Sequence, residues 1–236
     1  LSDLRQRLTA MMIVRNEANR YLQEVLTHLS SYADQIIILD DASTDDTPSI
    51  CRSFPKVLLC QEEEPLFETD ESLVRLKLWN YTIQANPDWI LAIDADEIFE
   101  ERFPYEVKDL INQDEFDAVE FRLFDLWGDP EHYRIDGGWN PWVKKVRMLF
   151  RYIPQQTYTW SRSKLHCGRV PLEVLKYPRV YQSDLRVKHY GWLRPEDINN
   201  KYTRYSKHDH SEHLQSVLAP PDQIKLEKWI AGKIIP

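Results

Sequence analysis

Trp89-Ile90-Leu91-Ala92-Ile93-Asp94-Ala95-Asp96-Glu97 joins an apolar run to an acidic turn. Five apolar residues of strand length run directly into two aspartates one residue apart. A buried strand ending this way delivers oxygen ligands to the edge of a sheet. Hard cations such as Mg²⁺ or Mn²⁺ prefer such ligands, and those cations commonly bridge a diphosphate. In open α/β sheets, ligands gather beyond the carboxyl ends of the strands, which is where Asp94 and Asp96 fall.

The residues before that strand alternate strand and helix signals. Leu8 to Val14 is a short apolar run, followed by Arg15-Asn16-Glu17. Between Ala18 and Ala33, Tyr21, Leu22, Val25, Leu26 and Leu29 recur at helical spacing and make one apolar face. Gln35 to Leu39 is a β-branched run of strand length bounded by Asp40-Asp41. Ser43 to Pro48 reads as a loop and helix start, with Thr47 as cap and Pro48 at the first helical position. Val57 to Cys60 is a third strand. The acidic triplet Glu62-Glu63-Glu64, a solvated face, leads to a helix over Glu71 to Asn86. This βαβαβαβ order predicts a parallel sheet with right-handed crossovers and helices on both faces.

After Pro104 the pattern changes. Strands are expected at Asp117 to Phe124, Val146 to Tyr152, Ser163 to Cys167 and Leu185 to Tyr190, with an irregular loop region over 125–145. Pro195-Glu196 opens a polar helix reaching about His208, and the tail holds an amphipathic stretch from Ile224 to Ile230.

The chain of 236 residues has room for one large domain or two small ones. A mean hydropathy of -0.55 without a long apolar stretch predicts no membrane span. No basic segment followed by an apolar one opens the sequence, so no signal peptide is expected. The net charge of -8, with no basic tract, disfavours nucleic acid as a partner. Cys51, Cys60 and Cys167 show no Cys-x-x-Cys spacing and read as reduced thiols. A cytoplasmic location is expected, with peripheral association at the inner face of a membrane left open.

Asp40-Asp41 ends the second strand as Asp94 and Asp96 end the fourth. As a local feature, Asp40 to Asp46 could simply supply turn and cap residues. Taken together, Val14-Arg15-Asn16-Glu17, the segment Ile38 to Thr47 and Asp94-Ala95-Asp96-Glu97 resemble, in order and spacing, the nucleotide-sugar-binding half of family 2 glycosyltransferases. The resemblance implies an α/β fold of the GT-A type: a Rossmann-like, mostly parallel central sheet flanked by helices, with a mixed-strand acceptor half. Residues 1–103 would form the nucleotide half and 104–236 the acceptor half of one continuous domain. It also implies that Asp41 holds the nucleotide base, that Asp96 binds Mn²⁺ or Mg²⁺, and that Asp94 supports the ribose or the metal's water shell. Asn16, Glu17 and Arg75 are further nucleotide-binding candidates. In the second half, Val146 to Arg151, Lys164 to Cys167 and Val187 to Trp192 resemble a run in bacterial members that build cell-surface glycans. There the residue matched by His189 serves as a further metal ligand, and its imidazole suits Mn²⁺ better than Mg²⁺. Lys201 and Arg204 are candidates for the diphosphate, with solvated surface charge as the alternative.

The activity so implied is metal-dependent, inverting transfer of a hexosyl or related group from a nucleoside-diphosphate sugar to a hydroxyl of a glycan or other acceptor. UDP is the first carrier expected, with GDP and dTDP as alternatives. Inversion needs a base to take the acceptor's proton. The resemblance does not designate it, because Cys167 stands where related sequences carry Glu and the Glu-Asp pair of the acceptor half is absent. The candidates are Asp125, Asp129 and Asp136, with His166 outside them. Asp136 leads because Gly137-Gly138 and Trp139 beside it suit a sugar-binding loop, although the tryptophans of this half equally suit a core. Two other readings stand beside this one. A degenerate transferase-like domain would bind a glycan or a protein partner. A sugar nucleotidyltransferase would need a Gly-rich loop where Arg15-Asn16-Glu17 stands. His208-Asp209-His210, near His213, has metal-like spacing but polar surroundings that favour plain solvation.

Overall fold

The structure is a computed structural model and describes residues 5–162, 167–206 and 212–235, without the side chains of residues 204, 205, 212 and 213. The chain forms two compact units that interleave along the sequence. The first holds Leu1–Asp96, Phe103–Glu120 and Arg147–Gln182, and the second holds Glu97–Arg102, Phe121–Val146 and Ser183–Pro236.

The first unit opens with β1 (Leu8–Val14), α1 (Leu22–Tyr32), β2 (Gln35–Asp40), α2 (Thr47–Arg52), β3 (Val57–Gln61), α3 (Glu71–Gln84) and β4 (Trp89–Ala92). β1 pairs in parallel with both β2 and β4, and β2 pairs in parallel with β3. Both faces of β1, β2 and β4 are covered, which is why they read as unbroken apolar runs, while β3 at the sheet edge leaves Leu58 exposed. Met11, Ile37, Leu39, Ile90 and Ala92 form one core cluster with Val74, Leu78 and Trp79 of α3. Ala10, Met12, Ile36 and Ile38 alternate with them, point the other way and are equally buried. Helix α1 lies against β2 with Leu22, Val25, Leu26 and Leu29 buried. Asp70 caps α3 by accepting from the Leu73 N–H. Helix α2 starts one residue earlier than the sequence suggests. Asp46 takes the cap position without a side-chain cap bond, and the Thr47 hydroxyl accepts from the Glu17 N–H at 2.7 Å.

Beyond β4 come β5 (Glu97–Phe99), α4 (Phe103–Ile111), β6 (Ala118–Asp125), β7 (His132–Arg134), β8 (Lys145–Arg151), β9 (Val180–His189), α5 (Pro195–Tyr205), α6 (Glu212–Gln215) and β10 (Leu226–Lys228). In the first unit the hydrogen-bonded order is β3-β2-β1-β4-β8-β6, with β8 antiparallel to β4. α4 buries Phe103, Val107 and Ile111, and Phe103 meets Tyr32 of α1 edge to face at 5.0 Å. In the second unit the order is β6-β9-β5, and β5 runs antiparallel to β9 with Glu97 opposite His189. The region expected to be irregular therefore holds β7 and a short 3-10 turn at Gly137–Trp139. The tail expected to be amphipathic holds β10, an exposed strand paired antiparallel with β7. The strand expected at Ser163 to Cys167 lies mostly outside the described residues.

Candidate functional site

The site is built on the carboxyl ends of β2, β1 and β4. Val14 is in register with Asp40 and Met11 with Ala92, so the three parallel strands end toward one edge. Neighbouring strands lie about 4.8 Å apart, which puts β2 and β4 about 10 Å apart across β1. The loop that leaves β1 reaches both. Arg15 NH1 stands 3.7 Å from Asp41 Oδ2, and Arg20 NH2 stands 3.9 Å from Asp96 Oδ2.

That loop is tied to the one after β2. Asn16 takes φ +53°, its N–H donates to Ser43 Oγ at 2.8 Å, and its Oδ1 accepts from the Thr44 N–H at 2.8 Å. Asn tolerates the left-handed region better than most residues. Ala42, at φ +57°, has no such excuse, and a left-handed residue bearing Cβ costs about 1–2 kcal/mol. The turn is held because Asp40 Oδ1 accepts from the Ser43 N–H at 3.1 Å. The Ala18 N–H donates to Asp45 at 3.1 Å. Burial alone would raise the Asp45 carboxyl, but hydrogen bonds from Thr47 and Ala18 outweigh it and hold it below the usual carboxylate range. Glu17 receives Arg20 NH1 on both oxygens, at 2.8 and 3.0 Å.

Asp41 is fully buried. Its Oδ1 accepts from the Leu66 N–H at 2.7 Å and its Oδ2 from the Phe67 N–H at 3.1 Å. The segment between β3 and α3 therefore folds over this carboxylate. Phe67 in turn lies 5.8 Å from the Arg75 guanidinium, and Arg75 donates to Glu71 Oε1 at 3.2 Å. Glu71 Oε2 accepts from the Cys167 N–H at 3.4 Å, so an acidic group stands beside Cys167. Burial, with Glu71 adding to it, pushes the Cys167 thiol up to about 12.

Asp94 and Asp96 lie just beyond β4, beside two arginines. Arg169 NH2 is 3.3 Å from Asp94 Oδ2, and Arg20 faces Asp96. Among the described residues, no group of three or more His, Cys, Asp or Glu side chains is gathered to hold a metal. Two carboxylate-bearing positions on one strand end nonetheless fit Mg²⁺ or Mn²⁺. Such ions are commonly held by one or two carboxylates, with substrate phosphates and water completing the shell.

In the second unit, His189 at the end of β9 places Nδ1 2.5 Å from Asp125 Oδ1 and Nε2 3.2 Å from Lys201 Nζ. Asp136 is committed differently. It receives Arg134 Nε at 2.9 Å, Arg134 NH2 at 2.8 Å and the Lys225 N–H at 3.0 Å. Arg134 is itself fully buried between Trp127 and Trp139, 4.5 and 4.9 Å from their rings. Burial pulls the Asp136 carboxyl up, but the guanidinium and the amide outweigh it and hold it low, the wrong direction for a general base. Asp129 is half exposed and holds the His132 ring at 2.9 Å. Trp139 is 2% exposed and donates from Nε1 to Ser216 Oγ, so this tryptophan is core and offers no sugar platform. His166 and His208-Asp209-His210 lie outside the described residues, as do the side chains of Arg204 and His213.

The family model for glycosyl transferase family 2 matches residues 9–68, the span that carries Asn16, Glu17 and Asp41. An uncharacterized glycosyltransferase of Rickettsia bellii is 30% identical over 207 residues, which are 86% of this chain and 66% of that one. The chain belongs to the family 2 glycosyltransferases. Its GT-A fold is shared with S. aureus TarS 1–349, at a TM-score of 0.52 and 17% identity over 90% of this chain and 69% of that one. It is shared too with the mannosyltransferase PcManGT from Pyrobaculum calidifontis, solved with GDP-Man and Mn²⁺, at a TM-score of 0.51 and 17% identity over 93% and 67%. The chain spans about half the length of some curated relatives it matches. One uncharacterized protein of Mycobacterium tuberculosis is 28% identical over 192 residues, 79% of this chain and 46% of that one.

The structure adds two arginines to the site that no motif of the sequence announces. Arg20 sits in a helix-spaced segment and Arg169 in an aperiodic one, and only the folded edge brings them to Asp96 and Asp94. The amides of Leu66 and Phe67 were equally invisible, since a backbone donor carries no sequence signature.

Proposed function

We propose that this family 2 chain is a metal-dependent, inverting glycosyltransferase. It moves a hexosyl or related group from a nucleoside-diphosphate sugar, UDP first among the carriers, to an acceptor hydroxyl in the synthesis of a bacterial surface glycan. The observation that carries this reading is the β1 loop, whose Arg15 and Arg20 face Asp41 and Asp96 at one sheet edge.

Asp96 and Asp94 would hold Mn²⁺ or Mg²⁺, and His189 is proposed as a further ligand. The bound cation would neutralise charge developing on the departing nucleoside diphosphate. Arg15, Arg20 and Arg169 add positive charge at the edge where the diphosphate's negative charge falls. Asn16 and Glu17 shape that loop. Asp41, buried under Leu66 and Phe67, meets a nucleotide base only once that segment yields, and Arg75 of α3 lies over the Phe67 ring. Lys201, with Arg204 on the same helix, is proposed to take the diphosphate. The acceptor part is proposed to lie beyond residue 103. Among the base candidates, Asp129 is the most exposed, with 48% of its side chain open, although its hydrogen bond with His132 holds its carboxyl low as Arg134 holds that of Asp136. Among the described residues no helix is long and apolar enough to cross a membrane. Action in the cytoplasm, at or near the membrane face, is part of the proposal.

A second reading, a transferase-like domain that binds a glycan or protein partner without turnover, is favoured by the engagement of all three candidate bases. Hydrolysis of a panel of UDP-, GDP- and dTDP-sugars with Mn²⁺ separates the two, because slow donor hydrolysis needs no known acceptor. The transferase reading predicts release of nucleoside diphosphate from at least one donor. Binding without release from any donor would establish the second reading instead.

A further inference from the structure

The second unit holds three polar side chains whose protons are assigned by chemistry alone. Asp125, at the end of β6, sets Oδ1 2.5 Å from His189 Nδ1, and Lys201 of α5 sets Nζ 3.2 Å from His189 Nε2. A carboxylate only accepts, so Nδ1 carries the proton. An ammonium only donates, so Nε2 presents its lone pair. The ring is thereby a neutral imidazole in the Nδ1–H tautomer, the form a metal ligand needs.

The surroundings hold it there. The side chains of His189 and Asp125 are only 13% and 14% exposed, and the Leu126 N–H donates to the His189 carbonyl at 2.9 Å, clamping β6 to β9 beside the pair. Lys201 has a second seat, with Nζ 5.0 Å from the Trp192 ring, so it keeps a partner when Nε2 turns to something else.

We propose that Asp125 is a positioning residue: it fixes His189 as the Nδ1–H tautomer and keeps the Nε2 lone pair available to the divalent cation. This rests on the reading of His189 as a metal ligand, and it takes Asp125 out of the candidate bases. A carboxylate behind a ligating histidine orients the ring, and its loss typically weakens metal binding roughly 10- to 100-fold.

Two measurements on the full chain test it. Long-range ¹H–¹⁵N spectra of the metal-free protein, with His189 assigned through His189→Ala, report the tautomer directly. Calorimetry with Mn²⁺ and UDP reports metal affinity. Wild type is expected to show Nδ1–H. Asp125→Ala is expected to weaken Mn²⁺ binding roughly 10- to 100-fold, and to lose that tautomer once Lys201→Met removes the second group that holds it. Asp125→Asn, whose amide oxygen still accepts from Nδ1–H, should restore most of both. A proton on Nε2 in wild type overturns the proposal. So does unchanged Mn²⁺ affinity in Asp125→Ala when His189→Ala weakens it. Collapse of turnover in Asp125→Asn with tautomer and affinity intact would make Asp125 the base instead. If His189→Ala leaves Mn²⁺ affinity unchanged, the ligand reading itself fails and takes this proposal with it.

Discussion

Replacing Asp136 by Ala separates a structural carboxylate from a catalytic one. Asp136 holds both Nε and NH2 of Arg134, whose side chain is fully buried, while Asp136 keeps 20% of its own side chain exposed. Removing one partner of a buried pair costs about 3–5 kcal/mol, because the other charge is left without a counterion. Water reaching the partly exposed Asp136 position lowers that cost, so about 3 kcal/mol is expected. At roughly 2–4 °C per kcal/mol for a chain of this size, the melting temperature should fall by about 6–12 °C. Thermal unfolding followed by tryptophan fluorescence reads this well, since Trp127 and Trp139 flank the guanidinium. The pH dependence has a definite sign. A carboxyl held below its unfolded value of about 3.9 contributes fully above that pH, and its contribution disappears as pH falls through the lower folded value. The gap between wild type and variant should therefore close on acidification below about pH 4. Donor hydrolysis measured well below the melting temperature should stay within about threefold of wild type, a change under about 0.7 kcal/mol in barrier. A hundredfold loss of turnover with an unchanged melting temperature would instead make Asp136 the base.

Three further outcomes are expected. Glu100 is fully buried and accepts from the N–H, Nε and NH2 of Arg186 and from Arg102. Glu100→Gln should therefore lower the urea unfolding free energy by about 3–5 kcal/mol, and a loss under about 1 kcal/mol would contradict this. Asp41→Asn leaves one of the Leu66 and Phe67 amides without its acceptor. Hydrogen exchange at these two positions should speed up roughly 10- to 100-fold, and unchanged protection would show that Asp41 does not hold the segment. Burial pushes Cys51 and Cys167 up to about 12, so about one molecule in 10⁴ carries either thiolate at pH 8. Mass spectrometry after iodoacetamide should find both unmodified in the native protein, and rapid labelling of Cys51 would contradict its assigned burial.

Strands β1, β2 and β4 were legible because each is an apolar run covered on both faces, and their order followed from the helices between them. β5 was not legible, since Glu97–Phe99 begins inside an acidic motif and is only three residues long. α4 did carry a signal: Phe103, Val107 and Ile111 recur at i, i+4 and i+8, and Pro104 suits a first turn. β7 and β10 are too short for periodicity to show. Within the site, sequence could find Asp41, Asp94 and Asp96 because a carboxylate at a strand end has a position in the pattern. It could not find what those groups touch. Arg20, Arg169 and the Leu66 and Phe67 amides reach them through loop paths that no spacing encodes. The pairing of Asp136 with Arg134 likewise turns on Arg134 being buried between two tryptophans, a tertiary fact.

Calorimetric titration of the chain with UDP, GDP and dTDP, each with and without Mn²⁺, asks whether this sheet edge binds a nucleoside diphosphate through a metal. At least one nucleotide, UDP first, should bind with Mn²⁺ and not measurably without it, and Asp96→Asn should remove that dependence. If none of the three binds in the presence of Mn²⁺, or if binding ignores both the metal and Asp96, the edge carrying Asp41, Asp94 and Asp96 is not a nucleoside-diphosphate site.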